Sequence, residues 1–193
     1  MGGRPLLALS RARVYDARYG EAPACAAAVT ANLENYHGHS IEMSEEDPTT
    51  YDHALGMLFG FGHKPVIYGR RLYGGAATEA VYRKWLAFFR QYREPLRGEL
   101  VHLARPNGFH PDGVMVVAPA ANPAAMVVLF NPQSVSARVT LALPLALAGF
   151  QPNGVADLEG VGRVALDARA AGILALELKP MEVRTVCVRR AGA

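Results

Sequence analysis

The densest group of acid–base side chains in the sequence lies in an acidic stretch of the first half. It comprises Glu42, Glu45, Glu46, Asp47 and Asp52. Positioned carboxylates carry out general acid–base catalysis, so Glu42 and Glu45 are candidate catalytic residues. Asp47, directly before Pro48, is equally suited to cap a helix, with Glu45 and Glu46 close to its positive end. Acidic clusters outside a motif are also common surface features, so both interpretations stay open.

A second group of chemically capable side chains precedes the acidic stretch. His37 and His39 are two residues apart, so on a strand they share one face. With Glu42 they would make a two-histidine, one-carboxylate set, but no further ligand follows at a metal-binding spacing. We therefore expect no metal, and the histidines either contact a ligand or line a loop. The glycines near Gly60 lack a preceding strand and a phosphate-cradling helix, so we expect no nucleotide cofactor.

Three helices and two short strands are predicted for residues 1–98. Alanine-rich residues 22–36 favour a first helix, and Pro48 at a first-turn position begins a second one that ends near Gly60. A third helix is predicted for residues 78–93, with Thr78 as its cap and Pro95 ending it. Apolar side chains recur at helical spacing in the last two helices, namely Tyr51, Leu55, Leu58 and Phe59 in one and Val81, Trp85, Phe88, Phe89 and Tyr92 in the other. Short apolar runs at residues 37–43 and 65–68 indicate strands.

The second half of the sequence changes to a β pattern. Runs of alternating or β-branched residues separated by turn signals predict eight short strands, at residues 100–104, 114–118, 126–130, 135–143, 154–158, 163–167, 173–178 and 182–188. The clearest part is residues 126–144, where two such runs flank Asn131, Pro132, Gln133 and Ser134. This pattern predicts a β-hairpin, with Pro144 ending its second strand.

Together these elements predict an α+β chain in two parts. Residues 1–98 alternate helix and short strand, which is typical of βα units and a parallel sheet, but they are too few to cover such a sheet. Residues 99–193 have the strand number and spacing of an antiparallel β-sandwich. We therefore predict an incomplete, barrel-like βα segment followed by a complete sandwich domain, with the boundary near residues 95–98.

Composition excludes several functional classes. The 193 residues carry a net charge of +3, and 51% of them are hydrophobic, which argues against a disordered chain. Basic residues are scattered rather than clustered with aromatics, so nucleic-acid binding is not expected. No run is long enough to span a membrane and no signal peptide is recognisable, so the compartment stays open with the cytoplasm as default. Cys25 and Cys187, in opposite halves, predict neither a disulfide framework nor a metal site.

Several stretches resemble the closing segments of a (β/α)8-barrel glycoside hydrolase of the α-galactosidase-like kind. In the first half they are residues 51–62 (YDHALGMLFGFG), residues 64–69 (KPVIYG), residues 82–85 (YRKW), and Phe88 with Phe89. In the second half they are residues 101–108 (VHLARPNG), 129–132 (LFNP) and 141–145 (LALPL), which resemble the antiparallel C-terminal domain that follows such barrels. The likeness covers residues 40–190 and consists of short stretches typical of the fold, not of a catalytic motif.

The resemblance implies a carbohydrate site built at the ends of barrel strands. Glycoside hydrolysis needs two carboxylates flanking the scissile bond, and Glu42 or Glu45 would reach a sugar from such a strand end. Tyr68, followed by Arg70 and Arg71, lies at another predicted strand end, where a tyrosine ring stacks on a sugar and arginines donate to its hydroxyls. The alternative for these three is a loop that packs its aromatic residue on the next helix. His37 and His39 are further candidate sugar contacts.

Two hypotheses about function follow from this sequence. The first is that the chain is the C-terminal part of a glycoside hydrolase, inactive without a second chain or the missing barrel portion. The second is a non-catalytic structural or carbohydrate-binding sandwich. Residues 99–193 contain neither tryptophan nor tyrosine, the side chains on which sugar platforms rely, and this favours a supporting sandwich over a lectin.

Overall fold

A computed structural model describes residues 48–60, 73–105, 107 and 109–191. Within these residues the chain is an α+β protein, as predicted, with two helices and an antiparallel β-sandwich. The helices are α1 (Pro48–Gly60) and α2 (Ala76–Tyr92), and a short 3₁₀ turn, Pro95–Arg97, leads into the strands.

In the described part of the chain eight strands form two packed sheets, which confirms the number predicted for the second half. They are β1 (Glu99–Ala104), β2 (Asp112–Val117), β3 (Ala125–Phe130), β4 (Ala137–Pro144), β5 (Val155–Leu158), β6 (Gly162–Ala165), β7 (Ala171–Leu178) and β8 (Val183–Arg190). Six of them make one sheet in the order β1-β2-β3-β8-β5-β6, and β4 and β7 pair as a two-stranded sheet. Every pairing is antiparallel.

The central strands of the large sheet are buried on both faces. In β2 and β3 every residue is buried, because successive side chains point to opposite sides and each side is covered. Val116, Val128 and Phe130 pack against the helices, whereas Val127 and Leu129 pack against the two-stranded sheet. The molecule thus has three layers, helices, large sheet and small sheet, with one apolar core on each side of the large sheet.

The two helices run parallel to each other on the large sheet. Contacts between them follow the same direction along both helices. Asp52 binds the Trp85 indole, and further along both helices the Phe59 and Phe89 rings lie 5.4 Å apart. The predicted apolar stripe of α1 is confirmed, since its four residues are all buried. Trp85 and Tyr92 of α2 are buried, and Val81, Phe88 and Phe89 pack half-buried beside them.

Glycine allows the close approach of α1 to its neighbours. A Cβ added to Gly56 would lie 2.7 Å from Val183 Cγ1 and 2.8 Å from Trp85 Cζ2. A Cβ on Gly60 would lie 2.9 Å from Val128 Cγ1. These distances are shorter than packed carbon atoms allow, so glycine at the two positions lets α1 pack closely against α2 and the sheet.

The predicted hairpin of residues 126–144 is wrong. Strand β3 pairs with β2 and β8, whereas β4 pairs with β7 in the other sheet. The connection after Phe130 therefore crosses from one sheet to the other. The predicted alternation of β4 is correct all the same, because Val139 and Leu143 are buried and Arg138 and Thr140 are exposed.

Helix α2 begins earlier than predicted, and Thr78 has a different place in it. The N-cap is Gly75, and Thr78 is the third helical residue. Its hydroxyl accepts hydrogen bonds from the backbone N–H groups of Gly74 and Gly75 and donates to the Gly75 carbonyl. Thr78 thus reaches back to the helix start, the role of the third residue in a capping box.

Candidate functional site

The sequence-predicted site residues lie outside the described part of the chain. These residues are Glu42 and Glu45 as candidate acids and His37, His39, Tyr68, Arg70 and Arg71 as candidate ligand contacts. Their roles stay predictions. Of the acidic stretch, Asp52 is described, and it bridges the two helices.

A buried asparagine organises one end of the sandwich. The side chain of Asn131 is fully buried, and its Nδ2 donates to the carbonyls of Val135, at 2.9 Å, and Lys179, at 2.7 Å. Its Oδ1 accepts from the backbone N–H of Gln133 at 3.1 Å. Buried polar groups need such partners, and here they join the crossing after β3 to the turn between β7 and β8.

The same hydrogen-bonded end continues into two further segments. The N–H of Met181, in the β7–β8 turn, donates to the Gln133 carbonyl, and the Gln133 side chain donates to the carbonyl of Phe109 in the β1–β2 loop. The Met181 carbonyl lies 2.7 Å from Nε2 of His53 on α1, so that nitrogen carries the proton in this contact. We call these three linked segments, the crossing with Asn131 and Gln133, the turn with Met181 and the loop with Phe109, the Asn131 end.

Both helices start towards the Asn131 end. On α1, His53 contacts Met181, whereas Gly60, seven residues later, approaches Val128 further inside the sheet. Because α2 runs parallel to α1, it starts at this end as well. Phe109 is 71% exposed here, and no other phenylalanine, tyrosine or tryptophan of the described residues is exposed.

Polar contacts also tie the helices to each other and to the sheet. Asp52 accepts hydrogen bonds from Trp85 Nε1 at 2.6 Å and from Lys84 Nζ at 2.7 Å. The ammonium group of Lys84 also lies 4.8 Å from the centre of the Trp85 ring. A carboxylate so occupied supports the fold.

A second polar cluster joins the end of α2 to β8. Burial raises the pKa of Tyr92 to about 12, and its hydroxyl hydrogen-bonds Cys187. Burial also raises the pKa of the Cys187 thiol, which lowers its reactivity as a nucleophile. Beside them Arg189 pairs with Glu159. The cluster has the properties of a structural anchor.

An open depression lies at the opposite end of the sheet. Its volume is about 950 Å³, and its lining includes Glu94, Arg97, Pro119 and Leu147. Arg190 holds two of its edges together, because its guanidinium donates to the carbonyls of Pro119 and Ala148. The lining has no aromatic residue, so it offers no stacking platform for a sugar.

Within the described residues no three His, Cys, Asp or Glu side chains converge in a way that would hold a metal ion. Neither described helix is long and apolar enough to cross a membrane.

The fold is similar to that of a debranching enzyme. Two crystal structures of the debranching enzyme of Nostoc punctiforme, one soaked with acarbose, each superimpose on 96% of this chain with a TM-score of 0.52 and 13% sequence identity. This chain spans only 44% and 46% of those two chains. An α-amylase from Geobacillus thermoleovorans, complexed with acarbose, matches 76% of the chain at a TM-score of 0.48, too loosely to support an argument. No protein-family model and no curated protein matches the sequence.

The two debranching-enzyme structures agree in fold with the sequence-based resemblance to a glycoside hydrolase at its coarser level. The α-galactosidase-like assignment receives no such support from them.

Sequence reasoning missed the Asn131 end. The sequence pattern assigns Asn131 to a turn, and a turn pattern does not distinguish an exposed asparagine from one buried among carbonyl groups. One signal was present: an asparagine directly after five apolar residues is close to a core, where its polar side chain needs partners.

Proposed function

We propose that this chain is the C-terminal part of a glycoside hydrolase, in which α1 and α2 belong to a βα barrel and the sandwich supports it. The main support is that 96% of the chain, helices included, superimposes on less than half of a debranching enzyme. The likeness concerns the fold, and the activity is our proposal. We take the substrate class from this neighbour and propose a carbohydrate of the kind debranching enzymes process, rather than an α-galactoside.

The parallel helices support the barrel part of this proposal. Two consecutive helices that run parallel need a connection that returns along the full length of the first helix, about 20 Å for its 13 residues. Residues 61–75 make this connection, and the sequence predicts a strand at residues 65–68 within it. Helix, strand and parallel helix in this order form a βα unit.

The bonding of carboxylates in the described part suggests that catalysis resides elsewhere. Glu79 pairs with Arg83, Glu94 with Arg97, and Glu159 with Arg189. Asp167 accepts two backbone hydrogen bonds, which lower its pKa. We propose that the acid and base come from barrel strand ends, with Glu42 or Glu45 as candidates on this chain.

A first test is the DNA upstream of Met1. The proposal expects an in-frame coding sequence, or an adjacent gene, that supplies the missing units of a barrel of about 250 residues. A stop codon directly upstream, with no barrel-coding gene beside it, would contradict the proposal.

A second test is an activity assay of the purified 193-residue chain on soluble starch and aryl glycosides. The expected result is no turnover by the chain alone, and turnover when the barrel portion is supplied. Robust turnover by the chain alone that is lost in Glu42→Gln or Glu45→Gln, but kept in Glu99→Gln as a control at an exposed carboxylate, would overturn the proposal.

A further inference from the structure

Phe109 is the most exposed large apolar side chain of the described residues. The two other phenylalanines of the sandwich, Phe130 and Phe150, are buried in its cores, whereas the Phe109 ring is 71% exposed. Keeping so large an apolar side chain in water forgoes the stabilisation that burial would give. An exposed aromatic ring of this kind is a candidate binding group.

The backbone of Phe109 is hydrogen-bonded on both sides of this residue. The Asn107 Oδ1 accepts the backbone N–H of Phe109 at 2.9 Å and that of His110 at 3.0 Å. The Phe109 carbonyl accepts from the Gln133 side chain, which connects it to the buried Asn131. Much of the ordering cost of a binding loop is therefore already met before a ligand arrives.

The surroundings of the ring fit a sugar better than a protein partner. The exposed residues of its own loop, Asn107 and His110, are polar, and the crossing bonded to this loop adds a single exposed apolar side chain, Val135, whereas the centre of a protein interface gathers several apolar anchors. A pyranose ring presents an apolar C–H face bordered by hydroxyl groups. That face matches a phenylalanine ring, and the exposed imidazole of His110 can serve a hydroxyl.

We propose that Phe109 is an accessory carbohydrate contact, a stacking platform outside the catalytic centre. This inference rests on the proposed function for its ligand class and for the meaning of its position. In a βα barrel the helices start on the face where the catalytic loops lie, and α1 and α2 both start at the Asn131 end. Phe109 would thus lie on the side of the molecule from which a long glycan leaves the active site.

The test is affinity electrophoresis of the full 193-residue chain in native gels with and without soluble starch. The parent is expected to be retarded by starch, and Phe109→Ala to raise the apparent dissociation constant roughly tenfold, the upper range for an aromatic contact. Phe109→Trp should keep or increase the retardation. Ile173→Ala, which truncates another exposed apolar side chain in β7 far from Lys179 and the Asn131 end, is the matched control and should migrate like the parent.

Two results would overturn this inference. One is a parent chain that starch does not retard, and the other is equal retardation of the parent and Phe109→Ala. Weakened association of Phe109→Ala with a barrel portion, without starch binding by the parent, would identify a protein contact instead. Failure of this inference can be told apart from failure of the proposed function. A chain that starch does not retard would overturn the inference but would leave the result of the upstream-DNA test unaffected.

Discussion

The indole Nε1 of Trp85 donates a hydrogen bond to Oδ1 of Asp52 over 2.6 Å, and Lys84 Nζ contacts the same oxygen at 2.7 Å. The carboxylate thus joins α2 to α1 beside the apolar core. Removing it leaves the indole N–H without this acceptor in a partly buried place.

Replacement of Asp52 tests this bridge. Asp52→Ala should lower the free energy of unfolding by about 1–3 kcal/mol, the range for leaving a buried donor unpaired, and Asp52→Asn should recover part of the loss because its amide oxygen still accepts. Urea unfolding followed by circular dichroism measures the change. Glu79→Ala removes an exposed helix ion pair and, as the control, should cause no measurable change.

Loss of the Trp85 ring itself should have a larger effect. The side chain is 1% exposed, and Trp85→Ala is expected to cost about 3–5 kcal/mol. Limited proteolysis should then cut the helices first, while the core between the two sheets, which Trp85 does not enter, keeps the β signal. Phe109→Ala, at an exposed ring, is the control. Helices as resistant to protease as in the parent would show that Trp85 is not their anchor.

Gly56→Ala should destabilise the protein although alanine favours helices. On propensity alone this change within a helix gains up to about 1 kcal/mol. Here the new Cβ meets both Val183 and Trp85 at less than 3 Å, and overpacking of this kind costs about 1–3 kcal/mol. The sign of the change in melting temperature shows which of the two effects is larger. A raised melting temperature would mean that α1 is free to move away from the sheet.

Asn131 should be sensitive even to an isosteric change. Asn131→Asp turns the two N–H donors that face the carbonyls of Val135 and Lys179 into an acceptor, so both carbonyls lose their partner and a charge is buried. We expect a loss of at least about 2 kcal/mol in chemical unfolding. Asn107→Asp, in an exposed loop where the side chain only accepts, should be tolerated. Equal tolerance at both positions would contradict the proposed role of Asn131.

Stability should fall at alkaline pH because of two tyrosines. Burial raises the pKa of Tyr51 and of Tyr92 to about 12, above the value of about 10 in an unfolded chain. The folded state therefore holds these protons more tightly, so their contribution is complete below pH 10 and is lost as the pH rises towards 12. Unfolding free energies at pH 8 to 11.5 should show this decline. Tyr51→Phe and Tyr92→Phe should each flatten it, and an unchanged slope in both variants would refute the assignment.

The sequence allowed the strands to be predicted but not all of their partners. Alternation in residues 137–143 reports which side chains are buried, and it is the same whether β4 pairs with β3 or with β7. What separates the two arrangements is the buried side chain of Asn131, whose three hydrogen bonds hold the crossing between the sheets. Such long-range hydrogen bonds produce no periodic pattern in the sequence. The helix stripes were predictable because i, i+4 and i+7 spacing depends on local geometry alone.

The prediction of a candidate site was limited for a similar reason. Residue type and spacing singled out histidines and carboxylates, which are capable of chemistry anywhere. Phe109 is distinguished by its exposure at a hydrogen-bonded backbone position, and exposure depends on the packing of the whole sandwich. Its sequence neighbours, Asn107 and Gly108, indicated only a turn.

The double-sided burial of β2 and β3 bears on how this protein can be handled. A cut at residue 98 removes both helices and exposes one face of these strands, including Val116, Val128 and Phe130. The segment Ala125–Phe130, AMVVLF, is uncharged, lacks proline and is rich in β-branched residues, the composition of segments that assemble into amyloid-like zippers. By covering this face of the sheet, the helices therefore prevent the self-association of these strands. A sandwich prepared without them is expected to precipitate unless Val116 and Val128 are first made polar.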